Sequence, residues 1–247
     1  MELLKIKVSV FINYFLFGIL LNSVGTVILQ VQRYYNVTES QASILEACKD
    51  LSIALVSFLV ASFITRIGYK KSMQIGLAIV ALACFIVPSV NSFFAIKILF
   101  AITGASFALI KISVFGTIGL ITKNEKAHLS LMSFLESIFM VGILMGYFVF
   151  SYFIDDANPN SDRWFKVYYL IGILYLLALA LLSSSQLNEA DAKPVKQDSE
   201  KSFDQMFKLM LLPMVISFII CAFLYVLVEQ SIMSWLPTFN NKVLHIP

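Results

Sequence analysis

Ala61-Ser62-Phe63-Ile64-Thr65-Arg66-Ile67-Gly68-Tyr69-Lys70-Lys71 is a short basic turn between two long apolar runs. Its three cations, Arg66, Lys70 and Lys71, come without an acid. Cations gathered between membrane-length segments mark a cytoplasmic loop. The direction of every other segment follows from that assignment. Any polytopic protein needs a basic inner turn, so the stretch fixes topology before family.

The composition agrees with a chain that lives in lipid. Of its 247 residues 59% are hydrophobic and 13% charged, against about 25% charged in a soluble domain. The expected fold is an all-α, multi-pass membrane protein with the lipid bilayer around it. The net charge of +3 is small and sits in loops, which bears on topology and gives no ground for a nucleic-acid partner. Cys48, Cys84 and Cys221 stand singly inside apolar runs, with no CxxC spacing and no His nearby. They read as buried small residues, neither disulfides nor metal ligands. His128 and His245 have no partner at ligand spacing. With no metal cluster, nucleophile–base pair or Gly-rich phosphate loop, no enzyme and no cofactor are expected.

A helix crosses a bilayer with about 20 apolar residues. Seven segments read as such helices, at roughly 8–30, 42–64, 73–90, 94–121, 129–154, 166–185 and 209–236. The first apolar run is too long for a signal peptide and lacks a small-x-small cleavage site, so it reads as an uncleaved helix. Sorting the cations tests the orientation. Lys5, Lys7, Arg66, Lys70, Lys71, Lys123, Lys126, Lys193, Lys196, Lys201 and Lys208 fall on one side; Arg33, Arg163, Lys166 and Lys242 fall on the other. Lys49, Lys97 and Lys111 lie within the apolar segments or at their edge. Eleven against four places the N-terminus in the cytoplasm. Gln186 to Gln205, polar and mixed in charge, reads as a solvated cytoplasmic linker. The expected organisation is a six-helix bundle over 1–185, a linker over 186–208 and one further helix over 209–247.

Internal repetition is faint. At an offset of ninety residues, Leu45-Glu46, Phe58 and Phe63-Ile64 recur as Leu135-Glu136, Phe148 and Phe153-Ile154. Transporters are often built of inverted repeats, and this one would place an acid at the same station of the second and fifth helices.

Ionisable residues inside a membrane usually face a cavity or a partner. Lys111 lies about 15 Å from the inner end of the fourth segment at ~1.5 Å per residue, a depth where carriers hold substrate. Lys97, near the outer boundary, can snorkel. Glu46 and Asp50 share a face of the second helix, and Lys49 can reach Glu46. Glu136 lies at a depth within ~10 Å of Lys111. An internal Lys–acid pair that only neutralises charge is the plainer reading of this set. Asn22, Thr26 and Gln30 make a polar stripe on the first helix. Gly142 and Gly146 form a small-xxx-small pair that permits close helix approach.

Two stretches resemble the major facilitator superfamily. In the basic turn, Arg66, Gly68, Lys70 and Lys71 match that family's loop between its second and third helices, while Ala61, Thr65 and Tyr69 stand where it has Gly, Asp and Arg. In the last helix, Phe223-Leu224-Tyr225-Val226, Glu229 and Ser234-Trp235-Leu236-Pro237 are similar to the seventh helix of fucose-permease-like carriers, with Leu227 replacing a glycine. The basic turn itself looks like the fucose and glucose/galactose permease branch. The resemblance implies two six-helix halves, of which this chain would be the first plus one helix, ending before a missing C-terminal half. It implies secondary active transport of a small polar or anionic solute, sugar-like in that branch, by alternating access, coupled to protons, in a bacterial inner membrane. The branch's two functional acids do not carry over: Leu21-Asn22-Ser23-Val24-Gly25 holds no acid, and Lys111 occupies the station of the fourth-helix Glu. A cation there favours an anionic group on the solute, or a proton-exchanging Lys–acid pair. The candidate substrate or coupling residues are therefore Lys111, Asn22, Asp50, Glu136 and Glu229, and the conformational loop is Arg66, Gly68, Lys70 and Lys71. The alternative is a truncated, non-transporting membrane protein that needs a partner half.

Overall fold

A computed structural model of the chain describes residues 2–61, 63–155, 158, 161–189 and 208–245. Among these residues all regular structure is helical. The elements are α1 (Glu2–Asn22), α2 (Val24–Tyr35), α3 (Glu39–Ala42), α4 (Ile44–Ala61), α5 (Ile64–Ile67), α6 (Tyr69–Val90), α7 (Phe93–Ile121), α8 (Glu125–Phe153), a 3-10 turn (Asp162–Phe165), α9 (Lys166–Ser184) and α10 (Pro213–Lys242).

Each predicted segment is a helix, with one difference in kind. Six spans, Leu3–Tyr35, Tyr69–Val90, Phe93–Ile121, Glu125–Phe153, Asp162–Ser184 and Pro213–Lys242, are long and apolar enough to cross a membrane. The remaining predicted segment, α4, is helical but carries Glu46, Lys49 and Asp50 within its 18 residues, too many charges for a span by composition. It nevertheless packs along α7 over much of its length. The Gln186 to Gln205 linker lies mostly outside the described residues.

Local chemistry sets the boundaries. α1 and α2 are one long helix interrupted at Ser23, where the Ser23 hydroxyl donates back to the Leu20 carbonyl at 2.7 Å and the Asn22 amide to Gly18 at 3.1 Å. Such back-bonding competes with the backbone ladder and bends helices. α7 starts on Ser92, whose hydroxyl accepts from the Ala95 amide, and α8 on Asn124, whose side chain accepts from Ala127; both are N-caps. α2 and α6 stop at Asn36 and Asn91, which take the left-handed conformation that ends helices.

The bundle has two distinct ends. At the basic end lie the start of α1, the α5 turn, the α7–α8 turn and the end of α9. At the far end the Asn91 side chain joins Tyr35 and Tyr34 at 3.0 Å each, and Tyr34 meets the Trp164 and Phe165 rings. Tyr and Trp concentrate at membrane–water interfaces, and this cluster has that composition. α1 is the hub, packing on α7, α8 and α9, while α7 packs on α4 and α6. Gly18 and Gly142 bring α1 and α8 together: a Cβ on Gly18 would fall 2.6 Å from the Phe139 carbonyl oxygen. The small-xxx-small pair Gly142 and Gly146 therefore serves helix approach.

α10 stands apart. From Pro213 to Val228 none of its residues is buried, and only Ser234 and Thr238 are. It meets the bundle along α2, near the far end. Cys221, expected to be buried, is consequently exposed; Cys84 is buried and Cys48 half-buried.

Candidate functional site

At mid-height of the bundle Phe107 and Phe139 stack, ring centroids 5.7 Å apart and planes inclined by 27°. Phe107 is the central residue of α7 and Phe139 the central residue of α8. Two helices with little other contact between them thus touch through aromatic faces at the middle. Tyr14 of α1 joins the group, at 5.9 Å from the Phe107 ring, 6.3 Å from Phe115 and 5.2 Å from Phe139.

Lys111 and Glu136 both lie about one helical turn to the basic side of this stack, four residues beyond Phe107 and three before Phe139. The Lys111 ammonium sits over the rings of Phe107 and Phe115, 5.8 and 5.7 Å from their centroids. Between Leu99 and Ile118 it is the one exposed residue of α7. No described carboxylate lies within ion-pair distance of it. The Glu136 carboxylate accepts from the Tyr14 hydroxyl at 3.4 Å and is half-buried. Lys111 and Glu136 thus share one level without pairing.

The remaining predicted residues are distributed differently. Lys49 does not reach Glu46; its ammonium pairs with Asp50 at 3.3 Å, the Lys49 side chain 5% exposed and that of Asp50 49%. Glu46 is engaged instead by Ser234, whose hydroxyl donates to it at 2.6 Å. The ninety-residue offset does not equalise heights, since Glu46 begins α4 near the far end whereas Glu136 lies near the middle of α8. Asn22 is occupied with the Gly18 carbonyl at the α1–α2 break. Glu229 is half-buried on α10, just where that helix turns onto the bundle. Lys97 lies 4.3 Å from the Phe93 ring centroid, an interfacial placement.

A second constellation closes the far end. A Cβ at Gly25 would press on the backbone of Met233 and Ser234, so α2 and α10 touch backbone to backbone. Beside them the Lys242 ammonium donates to Gln32 at 2.8 Å and pairs with Glu39 at 2.7 Å. Among the described residues, the opposite end of α10 is exposed, with no buried residue from Pro213 to Val228.

The basic turn is organised by a residue that sequence reasoning missed. Gly68, at φ +94°, takes a conformation that suits glycine, and it exposes the first amides of α6. The Glu189 carboxylate accepts from the Tyr69 and Lys70 amides at 3.0 and 2.8 Å, capping that helix where a negative charge is favoured. Lys70 then donates to the carbonyls of Ser183 and Ser185 at 3.1 and 2.6 Å. Arg66 and Lys71 are exposed. The loop is thereby fastened to the last turn of α9. No pattern in the polar stretch singles out Glu189, because its role depends on where α9 ends.

Helices of this length and composition define an integral multi-pass membrane protein. Residues 10–247 match the family described as Major Facilitator Superfamily, and the chain belongs to that family. Among its relatives is the TsgA homolog of Buchnera aphidicola subsp. Baizongia pistaciae, 25% identical over 244 residues, or 96% of this chain and 57% of the relative. The TsgA homolog of Buchnera aphidicola subsp. Schizaphis graminum is 24% identical over 238 residues, or 96% of this chain and 58% of the relative. The chain therefore spans somewhat over half the length of these relatives.

Proposed function

We propose that the protein is the first half, with the seventh helix, of a secondary transporter that moves a small polar or anionic solute by alternating access. The observation that carries this reading is Lys111: an exposed ammonium, with no acid in reach among the described residues, one turn from the aromatic mid-point. A charge in that position is expensive unless it faces a cavity, and carriers bind solute near the midplane between two bundles. Glu136, held by Tyr14 at the same level, is the candidate proton carrier. Asp50, Asn22 and Glu229 lie nearer the far end and are assigned to the path between site and exit.

In this reading the basic end is cytoplasmic, the membrane is a bacterial inner membrane, and the conformation faces inward. The α2–α10 contacts shut the outer side, while α10 stands off the bundle toward the inside. Opening outward requires Ser234 to leave Glu46 and Lys242 to leave Glu39. The Arg66, Gly68, Lys70 and Lys71 loop, tied to α9 through Glu189, moves as part of the first half. The exposed flank of α10 favours a partner half that completes the cavity, so the chain alone is not expected to transport. The test is proton-driven uptake of labelled solutes into vesicles that hold the chain together with a second half. Uptake abolished by Lys111→Met with insertion intact supports the reading, and uptake unaffected by Lys111→Met removes Lys111 from the site.

A further inference from the structure

We infer that the Lys111 site takes an organic monoanion with a flat apolar body, an aryl carboxylate in chemical class; this deepens the transport reading and rests on it. Three observations carry the choice. The ammonium offers N–H donors to an anion and has no described carboxylate to neutralise it. The groups beside it are ring faces, Phe107 and Phe115 within 6 Å of the nitrogen and Phe139 stacked on Phe107. The polar groups of the cluster, the Tyr14 hydroxyl and the Glu136 carboxylate, are engaged with each other.

These features select against other solutes. A sugar brings several hydroxyls, and walls of Phe would leave most of them unpaired, which discriminates strongly against it. A small hydrophilic anion such as acetate would pair with Lys111 but make no contact with the partly exposed rings of Phe115 and Phe139. A planar ring carrying one carboxylate satisfies both halves of the site, lying against Phe faces in the offset or edge-on manner that aromatic groups prefer while its charge meets Lys111. Glu136, at the same level and held by Tyr14, disfavours a second negative charge on the ligand.

Benzoate tests this on the 247-residue chain reassembled with a second half in lipid nanodiscs, read by saturation transfer from protein to ligand protons. Expected are signals from benzoate, a Kd about tenfold weaker or worse in Lys111→Met, as the loss of one charge-assisted hydrogen bond implies, and recovery in Lys111→Arg. Benzyl alcohol, acetate and galactose should bind at least about tenfold more weakly than benzoate. Absence of benzoate signals, binding that Lys111→Met leaves unchanged, or equal binding of benzyl alcohol or galactose would each overturn the inference. Lys111→Met keeps a long apolar chain at an exposed position, and a matching size-exclusion profile certifies its fold. Benzoate binding without uptake in the reassembled transporter would remove the transport reading alone; uptake of a neutral sugar that survives Lys111→Met would remove the ligand class alone.

Discussion

The Ser234 hydroxyl donates to the Glu46 carboxylate at 2.6 Å, joining residues 188 apart in the chain. With the backbone contact at Gly25 it decides how α10 sits on the bundle. Gly25→Val, which places a side chain against the Met233 and Ser234 backbone, should part α2 from α10. Spin labels at the exposed positions Ser40 and Leu244 should then move apart, and Ser234→Ala should shift the same distance distribution less. An unchanged distance in Gly25→Val would contradict the close contact.

Replacing Glu189 tests the fastening of the basic turn. Glu189→Ala removes a cap from two amides, a loss of about 1 kcal/mol. Amide exchange at Tyr69 and Lys70 should accelerate while exchange in the middle of α6 stays as it was. Protection retained at both amides would show that another group caps the helix.

Helix approach at mid-bundle predicts a contrast between two glycines. Gly142→Leu forces a side chain onto the Phe15 backbone, an overpacking worth about 1–3 kcal/mol, and should lower the melting temperature in detergent. Gly119→Leu meets nothing within 4 Å and should leave it nearly unchanged. Similar losses at both positions would refute the α1–α8 geometry.

Because Asp50 is paired with Lys49 and Glu136 with Tyr14, neither acid is the counter-ion of Lys111. Lys111→Met should therefore not be rescued by Asp50→Asn or by Glu136→Gln, in stability or in uptake by the reassembled transporter. Recovery in either double variant would make Lys111 a charge-balancing residue.

Orientation can be read by labelling. With the three native cysteines removed, cysteines at Asn91 and Asn158 should react with an impermeant reagent from outside intact cells, and one at Gln197 should not. Reaction at Gln197→Cys would invert the topology.

The helices were legible in the sequence because apolar length and flanking cations act over short range; even the ends of α7 and α9 lie within a residue or so of the expected bounds. What escaped depends on which helices become neighbours. Glu46 is met by Ser234 of α10, a contact that nothing in the sequence around Glu46 announces, while Lys49 pairs with Asp50. Phe107 and Phe139 are two of twenty-two phenylalanines, and nothing in their local sequence marks them as facing each other. Lys111 was legible for the opposite reason: a charge deep in an apolar run is conspicuous wherever the helix goes.

The level that Lys111 shares with Glu136 also has an electrical meaning. In the proposed reading Lys111 and the Glu136 carboxylate balance each other in net charge when the site is empty, and a bound monoanion would leave it with one negative charge. A membrane potential acts on a moving charge with about 2.3 kcal/mol per 100 mV. Voltage would then bear on the loaded passage and leave the return of the empty carrier nearly untouched.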